Sequence, residues 1–507
     1  MAMNPEPVDP SVLPPVPVGA SPPGPPLAAS PPASPLAAPV DPLTALRARL
    51  EAVRPKDARA PTYAERIEHL RALEATILTE KSALAAAVSA DFGNRSKVET
   101  YMAEVFVVVE GIRYILKNLR EWMEPERRAT SWAFLPGSSR LVYQPLGVVG
   151  VISPWNYPVQ LAFAPMAGAL AAGNRVMLKP SELTPRTSDL LAELLGRALP
   201  RPIVDTVVGG PDVGEAFSRL PFDHLVFTGS TRVGKLVMRA AAENLVPVTL
   251  ELGGKSPTLV MPDFGLDVAA ERISFGKLIN AGQTCIAPDY VLVPKGQAEA
   301  FATAAERAIA KMFPTLEDNG DYTSIVSDRH YERLVRLLAE AEAAGAKLWP
   351  VNPAREALPA HKRKLAPTFV IGARDDLGLM QEEIFGPVLP IVEYGSLDEA
   401  IRYVNARPRP LALYVFSHKT GDLDRVLDET ISGGVAVNDT LLHIAQDDLP
   451  FGGVGPSGMG HYHAREGFEA FSKKKPIFTQ ARLNAISIMH PPYGKLVDRF
   501  VRAVLGK

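Results

Sequence analysis

The chain has 507 residues, with 54 Lys plus Arg against 56 Asp plus Glu and a formal charge of -2. At about 150 residues per domain, that length predicts two to four structural units and large cores. Balanced charge without a basic block argues against a nucleic-acid footprint. A single cysteine, Cys285, excludes an internal disulfide and a Cys-rich metal site and points to a reducing, cytoplasmic compartment.

Residues 1–42 read as a disordered, polyproline-like tail. The first forty contain fourteen of the 48 prolines, no aromatic residue, and neither Lys nor Arg. They lack the basic start of a secretory signal and the arginines of a transit peptide. From Asp41 to about Met123, apolar residues at three and four spacing predict helices in "DPLTALRARLEAV", "TYAERIEHLRALEATILTEKSALAAAVSADFG" and "VETYMAEVFVVVEGIRYILKNLREWM". From Ser139 the texture changes to short apolar strands ending in Gly, Pro or Ser, with helical stretches between them. That alternation predicts a doubly wound α/β sheet. A second such series follows Glu251. The longest apolar stretch, Leu161 to Ala172, is broken by Pro165 and falls short of the about 20 residues a spanning helix takes, so no membrane anchor is expected. Three lysines at 473–475 read as a solvated face.

Several short motifs carry possible chemistry, each with a plain alternative. "FTGSTRVGK" (Phe227 to Lys235) follows a strand and precedes a helix, as a phosphate-binding turn requires; a bare surface turn is the other reading. Leu236 stands where a triphosphatase loop needs Ser or Thr, which disfavours that activity. In "VMLKPSELTP" (Val176 to Pro185), Glu182 beyond a strand suits ribose hydroxyls, or else Ser181 caps a helix. Asn156 in "SPWNYP" is an amide donor or a turn residue satisfying nearby backbone. Glu251, inside an apolar strand, is a base with a raised pKa or one half of an ion pair. Cys285, on a Gly-containing loop before a strand, is an inert buried thiol or a nucleophile, and His443, His461 or His463 could serve as its base in a protease-like arrangement.

Together "PWN", "KPSE", "FTGSTRVG", "LELGGKSP", "NAGQTC", "EEIFGPV" and "LPFGGVGPSGMG" resemble the aldehyde dehydrogenase superfamily, in its order and from about residue 43 onward. "AGQTCIAPDYVLV" and "LPFGGVGPSGMGHYH" are similar to its class 3 branch, and "NDTLLHIAQDDLPFGGVGPSGMGHYH" is most similar to the bacterial coniferyl aldehyde dehydrogenases. Ala464 after "YH" and Leu278 before "NAGQTC" depart from the pattern.

The resemblance implies oxidation of an aldehyde, coniferyl or another aromatic or cinnamyl aldehyde, to the acid, with hydride transfer to NAD or NADP. In that scheme Cys285 is the nucleophile, Glu251 the general base, and Asn156 an oxyanion donor, and no metal is needed. Cofactor contacts map to Trp155, Lys179, Glu182, Gly229, Ser230, Gly234, Leu252, Glu383 and Phe385. Glu182 favours NAD, and Lys179 leaves room for a 2'-phosphate. The implied architecture is α/β: a Rossmann-like NAD(P)-binding domain (43–124 and 143–250), an α/β catalytic domain (251–450), and a small β oligomerisation arm (125–142 and 451–507) serving a homodimer. An aliphatic-aldehyde enzyme, an acylating enzyme releasing acyl coenzyme A, and a non-catalytic binding protein are the alternatives; retention of Cys285, Glu251 and Asn156 counts against the last.

Overall fold

The computed structural model describes residues 41–506 except 57, 58 and 485. The Pro-rich tail expected over 1–42 lies outside the described residues as far as position 40. Asp41 and Pro42 instead begin a helix. Asp41 caps Pro42–Val53 by accepting the Thr44 N–H at 3.2 Å, and Pro42 takes the first turn, where a missing N–H loses no hydrogen bond.

The helix Tyr63–Phe92 starts on a capping box: Thr62 accepts the Glu65 N–H at 3.3 Å while the Glu65 carboxylate accepts the Thr62 N–H at 2.7 Å. Its buried stripe, Leu70, Leu73, Ile77, Leu84, Val88 and Phe92, packs in one core with Val108, Ile112, Ile115 and Leu119 of Val107–Trp122. Between these helices runs a single π-helical stretch, Tyr101–Phe106.

The strands begin with β1 (Glu126–Arg128) and β2 (Ser138–Pro145). The crossover series β3 (Val148–Ile152), β4 (Arg175–Lys179), β5 (Val204–Thr206), β6 (His224–Thr228) and β7 (Val248–Glu251) follows. Next come β8 (Pro257–Val260), β9 (Tyr290–Pro294), β10 (Lys347–Pro350), β11 (Thr368–Ile371), β12 (Val388–Tyr394), β13 (Ala412–Phe416) and β14 (Gly434–Val437). β15 (Gly458–Met459) and β16 (Ser472–Thr479) close the series.

These strands form three sheets. One, ordered β15-β7-β6-β3-β4-β5, is parallel except for β15. A second, β10-β11-β12-β9-β8-β13-β14, is parallel except for β10. The third is the antiparallel ribbon β1-β2-β16, and Lys473, Lys474 and Lys475 are exposed on it. The fold is therefore α/β with two mostly parallel sheets, each with helices packed on it.

Gly458–Met459 depart from the expectation that all of 451–507 belongs to the arm. They pair with Leu250 and Glu251 at the edge of the first sheet. Gly458 permits this approach: its φ is +144°, and a Cβ there would fall 2.2 Å from the Leu250 carbonyl oxygen. Among the described residues no helix is long and apolar enough to cross a membrane.

The capping box gives a stability test. Thr62→Ala removes both Thr62 side-chain bonds at the start of a 30-residue helix and is expected to cost about 1 kcal/mol, read as a lower urea midpoint with an unchanged slope.

Candidate functional site

In the first sheet, β4 and β5 run outward to one side of β3, and β6 and β7 to the other. The switch point therefore lies between β3 and β6, where open parallel sheets bind ligands beyond the strand carboxyl ends. The carboxyl ends deliver the named residues in turn. Trp155 and Asn156 follow β3, Lys179 ends β4 with Glu182 just beyond, Gly229 and Ser230 follow β6, and Glu251 ends β7 with Leu252 next.

The outer part suits a dinucleotide. Lys179 is buried and its Nζ donates to Glu182 Oε2 at 2.9 Å, which fixes a partly exposed carboxylate beyond the strand. The helix beyond starts at Pro185 with Thr184 as its flanking residue, so Ser181 is not its cap; Ser181 Oγ accepts the Leu183 N–H at 3.2 Å instead. On the other side Ser230 caps Thr231–Ala242, and the Gly229 N–H donates to the Glu251 carbonyl at 3.0 Å. Gly234 packs on Leu252, the residue after Glu251. The first turn of a helix carries free N–H groups of the kind that can receive an anion. Phe385 lies edge-on to Trp155 at 5.3 Å between ring centroids.

Cys285 is half-buried on the loop between the helix Leu266–Leu278 and β9. Three consecutive left-handed residues, Asn280, Ala281 and Gly282 (φ 51°, 51° and 75°), turn the chain just before it. Gly282 is required there, since a Cβ would fall 2.3 Å from the Gly386 carbonyl oxygen. The thiol is pushed up to about 12 by burial and by the nearby carboxylates of Glu383 and Glu251, against the pull of the Cys285 and Ile286 N–H groups. The local thiolate stabilisation expected of a reactive cysteine is thus outweighed: two N–H dipoles do not offset burial beside two acidic groups.

Both carboxylates carry the mark of the same environment. Glu251 is buried with neither oxygen hydrogen-bonded among the described residues, and burial raises it well above the usual range. That excludes the ion-pair alternative for Glu251. Glu383 is pushed up to about 8, first by burial and then by Asp289. Asn156 lies against the cysteine loop, its Nδ2 donating to the Gln283 carbonyl at 3.2 Å. A second amide N–H is left to donate elsewhere.

The protease-like alternative does not form. His443 lies between the rings of Tyr414 and Phe451, and His463 stacks on Phe451. Burial pushes both imidazoles down to about 4, too weak to serve as bases near neutrality. His461 is exposed.

Some neighbours were not legible as site residues. Arg95 falls in the break between two predicted helices, and Glu99 and Glu104 in the second of them, yet all three face the Asn156 and Cys285 loops. Tyr462, buried with an unpartnered hydroxyl, lies within reach of the charges of Glu251 and Cys285. The only signal was the break in the helical pattern around "NRSK".

The profile of the "Aldehyde dehydrogenase family" matches residues 38–477. The chain belongs to the aldehyde dehydrogenase family. It is an NAD(P)-dependent oxidoreductase acting on aldehydes. Among its relatives, a Pseudomonas aeruginosa protein named "Probable coniferyl aldehyde dehydrogenase" is 53% identical over 441 residues, 87% of this chain and 92% of its own. The coniferyl aldehyde dehydrogenase of Pseudomonas sp. strain HR199 is 48% identical over 444 residues, 87% of this chain and 92% of that one. A solved structure described as the substrate-bound state of Staphylococcus aureus AldH aligns with a TM-score of 0.82 at 38% identity, covering 92% of this chain and 98% of that one.

A thiol raised to about 12 has a titration signature in this dehydrogenase. Deprotonation increases with pH, so alkylation of Cys285 by iodoacetamide in the cofactor-free enzyme should accelerate about tenfold per unit up to pH 10, without the plateau near 8.5 of an ordinary cysteine. A plateau at that ordinary value would contradict the environment described.

Proposed function

We propose that this enzyme oxidises an aromatic or cinnamyl aldehyde to its acid through a thioester on Cys285. The observation that carries the mechanism is the unpartnered, buried carboxylate of Glu251 within electrostatic reach of the Cys285 thiol. Burial makes Glu251 a stronger base than a solvated carboxylate, which suits removal of a proton from a thiol or a water.

Cys285 loses its thiol proton to solvent as Sγ attacks the aldehyde carbon, and the carbonyl oxygen becomes an alkoxide facing the Asn156 amide and the Cys285 N–H. The chemistry a bound NAD(P) would supply is acceptance of the hydride from this carbon. Trp155 and Phe385 would border its nicotinamide end and Glu383 would orient it, Lys179 and Glu182 would hold the adenosine ribose, and Gly229, Ser230, Gly234 and Leu252 would shape the pyrophosphate turn. The Glu182 carboxylate, pinned by Lys179, disfavours a 2'-phosphate, so NAD is the preferred cofactor and NADP the poorer one. Glu251 then takes a proton from water, which attacks the thioester carbon. The C–S bond breaks, the acid departs, and the proton returns to sulfur.

Two features support an aromatic substrate. The named relatives at 53% and 48% identity act on coniferyl aldehyde by name. In this chain an apolar cavity between the helices Val107–Trp122 and Gln160–Ala171 is lined by Val108, Ile112, Ala164, Ile444, Tyr462 and His463. Tyr462 and His463 give that wall an aromatic character, and the rings of Phe451 and His443 continue the series behind them with centroid spacings of 5.0, 5.1 and 6.0 Å. The ribbon β1-β2-β16 is proposed to join two copies into a homodimer. A lone cysteine that must stay a thiol suits the cytoplasm.

Cys285→Ala should abolish oxidation while leaving the NAD dissociation constant within about twofold of the wild-type value, since a residue that acts only on the aldehyde carbon binds no cofactor. Glu251→Gln should keep a rapid NADH burst and slow steady-state turnover by about 10²-fold or more, locating its role in thioester hydrolysis. A panel of coniferyl, cinnamyl, benzyl and aliphatic aldehydes should give the highest kcat/KM for the cinnamyl class. A higher value for decanal would reverse the substrate reading.

A further inference from the structure

We propose that Arg95 and Glu104 are positioning residues that set the orientation of the Asn156 amide, and that with Glu99 they tie it to the Cys285 loop. The inference rests on the reading of Asn156 as the oxyanion donor. Both side chains are wholly buried, and the guanidinium meets Glu104 Oε1 at 2.9 Å. The same Arg95 Nη1 donates to the Asn156 carbonyl at 2.9 Å. The other Glu104 oxygen accepts the N–H groups of Val159 and Gln160 at 2.7 and 3.1 Å, where the next helix begins. The faces of Phe92 and Tyr157 cover the guanidinium at 5.3 and 4.8 Å. Residues 156, 157, 159 and 160 are therefore held by two charged side chains from another part of the chain.

The Asn156 carbonyl takes a second donor, Asn280 Nδ2, at 3.0 Å, so that both oxygen lone pairs are engaged and the peptide plane is fixed. Asn280 belongs to the left-handed turn before Cys285, and its own N–H is held by Glu99 Oε2 at 3.2 Å. Thr323 Oγ1 donates to that same oxygen at 3.0 Å. Residues 95–104 thus hold the amide loop through Arg95 and Glu104, and the thiol loop through Glu99.

Energetics favours a positioning role over a stabilising one. A buried ion pair repays its desolvation poorly, and an apolar pair of equal volume commonly stabilises as well or better. What the pair supplies is direction: a planar, always charged fork that serves a carboxylate and a carbonyl at once, which lysine does not reproduce. The local backbone is built for it. Glu104 lies in the π-helical stretch, buried, while Met102 and Phe106 on either side are exposed. Such stretches are rare and concentrate at functional sites.

The test is a double-mutant cycle read by the single-turnover rate of NADH formation from cinnamaldehyde, with the NAD dissociation constant measured alongside. Arg95→Lys should slow NADH formation by about 10 to 100-fold, as expected when a reacting geometry is displaced without loss of the group itself. The NAD dissociation constant should stay within about twofold, because Lys179, Glu182 and the 229–234 turn, proposed to hold the adenosine and pyrophosphate, lie on other loops. In an Asn156→Ala background the same substitution should cost less than about twofold, since a residue that acts through Asn156 has nothing left to position. Equal losses in both backgrounds, or no loss in the wild-type background, would overturn the proposal while leaving the oxyanion reading intact. An Asn156→Ala enzyme with the wild-type rate would overturn that reading and this inference with it. Should Arg95→Lys not fold, Glu104→Gln is read in the same cycle against the same outcomes.

Discussion

The chain crosses from one parallel sheet to the other through residues 252–256, and at the start of that crossing stands the unpartnered, buried carboxylate of Glu251. Placing an acid in an apolar strand end is costly, and the group meets that cost by holding its proton more tightly. The same burial extends to Cys285 and Glu383, so three groups near one another all favour their neutral forms in the cofactor-free enzyme. An arrangement of this kind couples the protonation of each group to the charge of the others.

That coupling explains why the nucleophile cannot be understood from its own loop. The N–H groups of Cys285 and Ile286 stabilise negative charge at the sulfur, but burial first, and then the acids beside it, act in the opposite sense and prevail. A thiol kept neutral is less open to adventitious oxidation, because the thiolate is the reactive form. Attack on an aldehyde then waits on loss of the thiol proton, and the later hydrolysis of the thioester needs Glu251 in its ionised form as the base for water. Chemistry at this centre therefore depends on keeping bulk solvent from Glu251 while admitting the water that reacts, and the edge strand β15 helps by pairing beside it.

The backbone around the thiol is also held under constraint. Three left-handed residues in succession are unfavourable for Asn280 and Ala281, at roughly 1–2 kcal/mol each. Their retention requires bonds from outside the turn, and Glu99, Asn156 and Gln283 provide them. Helices formed early in the chain in this way fix loops nearly two hundred residues later.

Much of this was legible in the sequence because it is local. Alternating apolar strands and amphipathic helices recur wherever the structure has its two parallel sheets, and the Gly and Ser residues at "FTGSTRVG" occur where a strand must turn into a helix. Cys285, Glu251 and Asn156 each kept a plain alternative when read alone, and the ordered motifs shared with the aldehyde dehydrogenases singled them out. Other features are not local. Gly458–Met459 look like part of a Gly-rich tail until they are seen completing the first sheet, and Ser181 looks like a cap until the helix is seen to start at Pro185. Arg95 falls between two predicted helices and Glu104 inside the second, and neither stands out, because nothing in a linear spacing reports a π turn or the burial of both partners. The sequence by itself determined the fold class and the chemical kind of each catalytic candidate, which follow from periodicity and residue type. Only the tertiary structure decided which groups share a low-dielectric enclosure, and hence how tightly each holds its proton and where each points.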